Sequence, residues 1–286
     1  MRYEHVNFID TVGDYMKLKN KSLEENFSKK TKKGKAKLYD IDKDVVLDIK
    51  NLSKTYITGN YTVHALKNIN LQIKKGEFVT IVGPSGSGKS TLMNCLGALD
   101  YPDSGHIIYN MEKNGIGYDI TEMNNQELKE MRLNRIGLIF QFYNLFPVLT
   151  AFENVELPML IAKKSSSERE KRVKELLIMV GLDKRMHHYP TQMSGGEQQR
   201  VTIARSLVNN PLILLCDEPT GELDTETTTQ VIKILLDLKK AGHSILMVTH
   251  NTRVAEVTDR ILTLTDGEIT HERKGGRPIE KMFEVW

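Results

Sequence analysis

A glycine-rich loop between an apolar run and a helical run constrains the fold of this chain more than any other feature. Residues 83–91 read GPSGSGKST and fit the pattern G-x-x-x-x-G-K-[ST]. The apolar run Phe78–Val82 precedes the loop, and a helical run over residues 90–99 follows it. Because glycines let successive backbone N–H groups point inward and the helix N-terminus adds positive potential, this arrangement predicts a polyphosphate-binding loop.

The residues of this loop have different expected roles. The Lys89 ammonium is expected to reach the β- and γ-phosphates, and the Ser90 hydroxyl to ligate Mg²⁺. The residues expected to bind the phosphates are Gly83, Pro84, Ser85, Gly86, Ser87, Gly88, Lys89, Ser90 and Thr91.

Two acidic residues follow a second apolar run. Residues 212–216 read LILLC and lead into Asp217 and Glu218. Ligands of open α/β sheets bind at the carboxyl ends of the strands, so both carboxylates are expected near the loop. Asp217 is expected to hold the hydration shell of Mg²⁺. Glu218 is expected to orient the attacking water, since phosphoryl transfer depends on a positioned nucleophile.

Strand and helix patterns alternate along most of the chain and predict an α/β fold with a largely parallel sheet. Strands are predicted over residues 45–49, 78–82, 136–140, 212–216 and 244–249. Strand signals are missing between residues 150 and 191, where Ser167 and Glu170 read as a capping box that opens a helix ending at Gly181. A further helix is predicted from Thr225 to Ala241.

The charge distribution separates the N-terminus from the rest. Residues 1–44 carry 11 Lys and Arg against 8 Asp and Glu, so the whole net charge of +3 resides there. We expect a basic, partly disordered extension; Phe8, Val12, Tyr15 and Met16 could alternatively form a short amphipathic helix. The balanced remainder lacks the basic face that duplex nucleic acid attracts, so we expect no nucleic-acid partner.

Cysteine and hydropathy patterns predict an intracellular chain. Cys95 and Cys216 have no further Cys or His at metal-ligand spacing and are expected to be buried free thiols. No apolar run reaches the ~20 residues that cross a bilayer. We therefore expect a cytoplasmic chain that reaches the membrane only through a partner.

The segment at residues 193–200, MSGGEQQR, resembles the signature sequence of the ABC ATPases. Ser194, Gly195 and Gly196 precede a helical run and form a second helix-terminal anion site. The resemblance implies a P-loop NTPase fold of the ABC nucleotide-binding type, with a RecA-like core, an antiparallel β subdomain and an inserted helical subdomain. It also implies ATP and Mg²⁺ as ligands, ATP hydrolysis, and a homodimer in which each signature completes the site of the opposite subunit.

Four further positions match the family and take their expected roles from it. Tyr56 matches the aromatic residue that stacks on adenine, and Gln141 the glutamine that senses Mg²⁺ and the attacking water. Asp224 matches the acid of the loop that crosses the dimer interface, and His250 the switch histidine near the γ-phosphate. Chain positions that depart from the family are Met193, Glu197 and Glu222, which stand where Leu, Gln and a small residue or Asn are usual.

The resemblance covers residues 45–270, leaving 1–44 and a tail at 271–286 outside the ATPase domain, with the helical subdomain at about 142–195. Three further segments, residues 93–100 (MNCLGALD), 140–145 (FQFYNL) and 153–158 (ENVELP), resemble the group that serves macrolide export and lipoprotein release. We therefore expect the ATPase subunit of a transporter, at the inner face of the membrane, that powers a separate transmembrane permease through Phe142, Tyr143 and Phe146.

Two alternatives remain open at this point. The same ATPase architecture can regulate a membrane protein without moving a solute. A soluble cassette protein could also act on ribosomes or DNA, although such proteins usually carry two cassettes or a long coiled-coil insertion.

Overall fold

The structure is a computed structural model that describes residues 38–58, 61–111 and 115–283. Within these ranges there are eleven strands and seven α-helices. The strands are β1 Leu38–Asp40, β2 Val45–Thr58, β3 Tyr61–Lys74, β4 Phe78–Val82, β5 Ser104–Asn110, β6 Ile116–Asp119, β7 Ile136–Ile139, β8 Ile213–Asp217, β9 Ser244–Thr249, β10 Arg260–Thr265 and β11 Glu268–Lys274. The helices are α1 Lys89–Leu96, α2 Asn125–Asn134, α3 Ala151–Ile161, α4 Ser166–Met179, α5 Gly195–Leu207, α6 Thr225–Lys240 and α7 Thr252–Ala255.

The central sheet has the order β11-β10-β4-β9-β8-β7. Its strands from β10 to β7 are parallel, and β11 pairs antiparallel at the edge. Strands β4, β8 and β9 thus lie side by side in the middle of the sheet. Their carboxyl ends bring the loop after Val82, the acids after Cys216 and the residue after Thr249 to one edge.

A second, antiparallel sheet has the order β1-β6-β5-β2-β3. The two long strands β2 and β3 form a hairpin whose register shifts at several points. Residues 61–65 of β3 are exposed or half-buried, whereas its second half alternates and buries Ile69, Leu71 and Ile73. One end of this hairpin carries Tyr56 towards the glycine-rich loop.

The core consists of two apolar clusters on opposite faces of the central sheet. Alternate residues of a strand point to opposite faces, so Ile213 and Leu215 join one cluster while Leu214 and Cys216 join the other. The first cluster packs α1 and the antiparallel sheet against the central sheet, and the second packs α3 to α6. Both faces are therefore covered, as is usual for parallel sheets.

Both cysteines are free and buried, as the sequence predicts. Cys95 lies in the first cluster and Cys216 in the second. Burial raises the pKa of the Cys95 thiol to about 12 and also raises that of Cys216.

Four of the five predicted strands agree with the structure within one residue at each end, and two of these four, Phe78–Val82 and Ser244–Thr249, agree at both ends. The strand predicted at 45–49 is wrong in length, because β2 continues to Thr58 in the hairpin with β3. The predicted capping box at Ser167 is also wrong. Ser165 caps α4, and its hydroxyl accepts a hydrogen bond from the Glu168 backbone N–H at 3.3 Å. The helix ends as predicted before Gly181, which has a φ of +71°.

Both predicted domain limits need correction. Leu38–Asp40 lies inside the proposed extension but pairs with β6, so the folded region includes residues before position 44. Strand β11 crosses position 270, and Met282 beyond it is fully buried in the second cluster. The apolar pattern of residues 8–16 lies outside the described residues. In the part of the chain that the structure describes, no helix is both long and apolar enough to cross a bilayer.

Candidate nucleotide-binding site

The glycine-rich loop connects β4 to α1, and at two of its glycines there is no room for a side chain. Gly88 is the N-cap of α1 and has a φ of +104°. A Cβ at Gly88 would lie 2.3 Å from the Ala65 carbonyl oxygen of β3. Gly83, at the other end of the loop, is as close to the backbone of Leu264, since its Cβ would lie 2.2 Å from that carbonyl oxygen. The two sheets therefore hold the loop from two sides.

Lys89 is the first residue of α1, and its side chain reaches back to the start of the loop. Its side chain is largely buried, and Nζ donates hydrogen bonds to the carbonyl oxygens of Gly83 and Pro84, each at 2.9 Å. The ammonium is thus fixed beside the N-terminus of α1, where the backbone N–H groups of the first turn point outward. This combination of one buried cation and a helix N-terminus suits an anion with several oxygens.

The oxygens of Ser90 and Asp217 form a second feature of the site. Ser90 Oγ donates to Asp217 Oδ1 at 3.4 Å. Burial and the neighbouring Glu218 raise the pKa of Asp217, while Ser90 and Lys89 oppose that shift. A partly buried carboxylate beside a hydroxyl is a set of hard oxygen donors, which fits Mg²⁺.

Glu218 follows Asp217 and has an unusual backbone conformation, with a φ of +47°. Its N–H donates to the Val248 carbonyl oxygen of β9 at 3.0 Å, and its own carbonyl oxygen accepts from the Gly221 N–H at 3.0 Å. The left-handed conformation costs about 1 kcal/mol or more for a side chain without special tolerance of it. It turns the carboxylate towards His250, whose Nδ1 lies 2.5 Å from Glu218 Oε2.

Tyr56 lies on β2 and lines the same cavity as Ser90 and Glu218. Its hydroxyl donates to Asp100 Oδ2 at 2.6 Å, and Lys54 Nζ lies 5.1 Å from the ring centroid. Burial and the hydrogen bond to Asp100 raise the pKa of Tyr56. The phenol is therefore held by Asp100 while 37% of the residue stays exposed, which suits an aromatic ring that stacks on a ligand.

One cavity of about 850 Å³ joins these elements. Predicted site residues that line it are Tyr56, Ser85, Gly86, Gly88, Lys89, Ser90, Thr91, Gln141, Glu218 and His250. Its volume is in the range of small-molecule sites. The sequence analysis missed five lining residues, which are Val63, His64, Ala65, Lys67 and Asp266.

The missed residues lie on β3 and in the turn between β10 and β11. Asp266 and Gly267 have φ values of +49° and +83°. An Asp-Gly pair between two apolar runs is a strong hairpin signal, so this turn could have been found.

The predicted signature residues do not line this cavity. Ser194 caps α5, and its hydroxyl accepts from the Glu197 N–H at 3.2 Å, while Glu197 Oε2 accepts from the Ser194 N–H at 2.9 Å. The Arg185 Nε lies 3.1 Å from the other Glu197 oxygen. The hydrogen bond from the Ser194 backbone lowers the pKa of Glu197, with further help from Arg185. The carboxylate thus folds back on its own helix cap.

Asp224 is the N-cap of α6 and also lies outside the cavity. Its carboxylate accepts from the Thr227 N–H at 2.8 Å and from the Thr227 hydroxyl at 2.9 Å. A Cβ at Gly196 would lie 2.1 Å from Thr227 Cγ2. The capped end of α6 therefore packs directly against the signature glycines.

The three aromatic residues after Gln141 differ in exposure. Phe142 is 69% exposed and Phe146 is 51% exposed. Tyr143 is half-buried, its hydroxyl would be 2.6 Å from a Cβ at Gly195, and burial and Glu222 raise its pKa. The structure thus leaves two of the three aromatics free for contact and turns the third towards the signature.

Comparisons with known proteins agree with this geometry. A family model described as "ABC transporter" matches residues 66–221. An uncharacterized ABC transporter ATP-binding protein of Methanocaldococcus jannaschii, MJ0796, is 46% identical over 235 residues, covering 80% of this chain and 97% of that protein. The macrolide export ATP-binding/permease protein MacB of Wolinella succinogenes is 44% identical over 229 residues.

The match to MacB covers 80% of this chain but 35% of MacB, so the chain spans about a third of that relative. A solved structure described as the dimeric structure of MJ0796, a bacterial ABC transporter cassette, superposes with a TM-score of 0.72 at 45% identity, covering 80% of this chain and 98% of the other. A second is a dimeric post-hydrolysis state of the same cassette bound to ADP and Pi, with the same TM-score.

Proposed function

This chain belongs to the ABC transporter family of ATP-binding proteins, and from that premise we propose how its residues bind and hydrolyse ATP. The chain is an ABC ATPase cassette with the expected α/β fold, and it acts as a dimer with a transmembrane permease. The observation that carries the mechanism is the single cavity that joins Lys89, Gln141, Glu218 and His250.

ATP binds along the cavity from Tyr56 to the glycine-rich loop. The adenine stacks on the Tyr56 ring, which Asp100 holds in place. The phosphate oxygens accept hydrogen bonds from the backbone N–H groups of residues 85–91. The Lys89 ammonium, which now donates to the Gly83 and Pro84 carbonyl oxygens, then donates to β- and γ-phosphate oxygens. Because Lys89 is already beside the loop, little rearrangement is needed.

Ser90, Asp217 and Gln141 are the residues that would hold Mg²⁺. All three can offer oxygen, and two of them already lie 3.4 Å apart. A bound Mg²⁺ would neutralise charge that develops on the β- and γ-phosphate oxygens. The partial burial of Asp217 fits this role, because a cation beside a carboxylate favours its charged form where burial disfavours it.

Glu218 orients the water that attacks the γ-phosphorus. One of its oxygens is engaged by His250 Nδ1, which leaves the other to accept a hydrogen bond from that water. The water oxygen bonds to the γ-phosphorus as the bond from that phosphorus to the β–γ bridging oxygen breaks. ADP is the leaving group, and the protons of the water end on the phosphate product. His250 fixes the carboxylate through Nδ1, from the part of the cavity where the γ-phosphate is expected.

The second anion site supports a composite site in the dimer. Ser194, Gly195 and Gly196 lie at a helix N-terminus outside the chain's own cavity. ATP binding closes two copies so that Ser194 and Gly196 of each complete the cavity of the other, and Asp224 lies at that interface. Hydrolysis then separates the two copies.

Coupling to the permease runs through the segment after Gln141. Phe142 and Phe146 present apolar area to a membrane subunit, while Tyr143 links the segment to Gly195. We place the chain on the cytoplasmic face of the membrane, bound through its permease. An exporter is favoured over regulation without transport, because the MacB relatives are named as macrolide export proteins.

Glu218→Gln tests this mechanism. The variant should bind ATP with wild-type affinity but hydrolyse it about 100-fold more slowly or worse, because the amide orients water poorly. Binding is measured with a fluorescent ATP analogue and turnover by phosphate release. Glu280→Gln, an exposed acid outside the cavity, should match the wild type in both assays. Wild-type turnover by Glu218→Gln would remove this residue from the mechanism.

A further inference from the structure

Glu222 is an exposed acid whose carboxylate contacts Gln141, one of the predicted site residues. It lies two residues before Asp224, in the loop that follows Glu218. Its Oε1 accepts a hydrogen bond from the Gln141 Nε2 at 3.0 Å. The predicted cation-sensing side chain is therefore held by a group that the mechanism above does not use.

The Gln141 amide is confined from a second side as well. A Cβ at Gly221 would lie 3.2 Å from Gln141 Nε2 and 3.5 Å from its Cδ. The Gly221 N–H in turn donates to the Glu218 carbonyl oxygen at 3.0 Å. Residues 218–222 thus supply three things: the water-orienting acid Glu218, the Gly221 backbone that packs against the Gln141 amide, and the Glu222 carboxylate that accepts from its nitrogen.

The chemistry of the acceptor determines which end of the amide faces the turn. The oxygen and nitrogen of a glutamine amide have nearly the same shape, so packing alone does not distinguish the two orientations. An ionised carboxylate only accepts hydrogen bonds, so it selects the orientation with Nε2 towards Glu222. The Gln141 oxygen is then left for another partner, and Gln141 lines the cavity with Ser90 and Lys89.

We propose that Glu222 is a positioning residue that fixes the Gln141 amide with its oxygen available to the cation that accompanies ATP. The inference rests on the proposed function, since it takes Gln141 as a ligand of that cation. Groups that orient a metal ligand from behind typically change metal affinity by about 10- to 100-fold when removed. The acid at position 222 therefore strengthens the coupling between cation and nucleotide.

The experiment measures that coupling without turnover. In the Glu218→Gln chain, the dissociation constant of a fluorescent ATP analogue is measured with Mg²⁺ and again with EDTA. The value in EDTA divided by the value with Mg²⁺ reports the coupling. Adding Glu222→Gln should lower this ratio about tenfold, because a neutral amide at 222 accepts either end of Gln141. The dissociation constant in EDTA should not change.

Two controls separate positioning from the loss of one negative charge and from effects that do not act through Gln141. Glu226→Gln removes an exposed acid four residues further on, and should leave the ratio unchanged. In a Gln141→Ala background, Glu222→Gln should have no further effect on the ratio, because its target is gone.

The outcomes discriminate clearly. An unchanged ratio with Glu222→Gln would overturn the inference, and an increased ratio would mean that Glu222 keeps Gln141 away from the cation. Failure of the proposed function itself would appear earlier, as absent ATP binding in the Glu218→Gln parent.

Discussion

Three glycines of the phosphate-binding loop differ in why a larger residue would be unfavourable there, because of the backbone φ or because of contact with a neighbouring strand. Gly86 has a φ of +79° and open space where a Cβ would stand. Gly83 has an ordinary φ, but its Cβ would lie 2.2 Å from the Leu264 carbonyl oxygen. Gly88 combines both conditions, with a φ of +104° and 2.3 Å to the Ala65 carbonyl oxygen. Alanine at each position therefore tests conformation alone, contact alone, or both.

The expected costs follow from these values. Gly86→Ala should lower the free energy of unfolding by about 1–2 kcal/mol, the cost of a left-handed backbone with a Cβ. Gly83→Ala should cost about 1–3 kcal/mol, because an atom must be fitted where no space exists. Gly88→Ala should approach the sum, at about 2–5 kcal/mol. Each alanine also restricts the unfolded chain by about 0.4–1 kcal/mol, which is common to all three and cancels in the comparison.

Urea unfolding of the nucleotide-free chain, followed by circular dichroism, gives the three free energies. The m-values should agree with the wild type, so that the midpoints report stability alone. If Gly88→Ala costs no more than Gly86→Ala, the close approach of β3 to the loop is refuted. If Gly83→Ala is neutral, the contact with β10 is refuted in the same way.

Two further predictions concern a helix cap and a buried histidine. Ser194→Ala and Ser165→Ala should each lower the free energy of urea unfolding by about 1 kcal/mol, because both hydroxyls cap a helix. In the Glu218→Gln background, however, only Ser194→Ala should weaken ATP-dependent dimerisation, measured by size-exclusion chromatography. Equal dimerisation by both variants would argue against the composite site. His243 has its pKa lowered from 6.5 to about 4 by burial and by Arg172. Between these pH values His243 is protonated in the unfolded chain but not in the native chain, so the free energy of unfolding falls as the pH drops from 6.5 to about 4. His243→Gln should reduce this fall, measured by urea unfolding at several pH values. An unchanged slope would contradict the assignment.

The sequence predicted those parts of the fold that local rules determine. The strands at 78–82 and 244–249 are continuous apolar runs, typical of strands buried on both faces, and the structure agrees at both ends. The phosphate loop carries its own signal in glycines and a lysine. Cys95 and Cys216 were expected to be buried, and they are.

The parts that sequence reasoning missed depend on distant pairing. Strand β3 has an irregular exposure pattern because its register with β2 shifts several times, so no clean alternation marks its first half. Its residues Val63 and Lys67 reach the cavity only because the antiparallel sheet folds over the loop. The choice of Ser165 over Ser167 as a cap was equally hidden, since three serines in a row offer the same local chemistry.

The orientations of the Glu197 and Glu222 carboxylates also could not be predicted from the sequence. The sequence marks Glu197 only as a departure from the family, whereas in the structure its carboxylate turns back to the Ser194 N–H and to Arg185. The contact of Glu222 with Gln141 joins positions 81 residues apart in the chain. Neither orientation follows from spacing, because each depends on which groups the tertiary fold brings within reach.

The burial of both native thiols makes this chain a convenient subject for chemical labelling. Thiol reagents react with the thiolate, and a pKa raised to about 12 leaves Cys95 almost entirely protonated at neutral pH. Cys216 is fully covered on the opposite face of the sheet. A single cysteine introduced on the surface would therefore be the preferred target of a maleimide dye in an otherwise wild-type chain. Distances between two labelled copies could then be followed during ATP turnover without first removing the native residues.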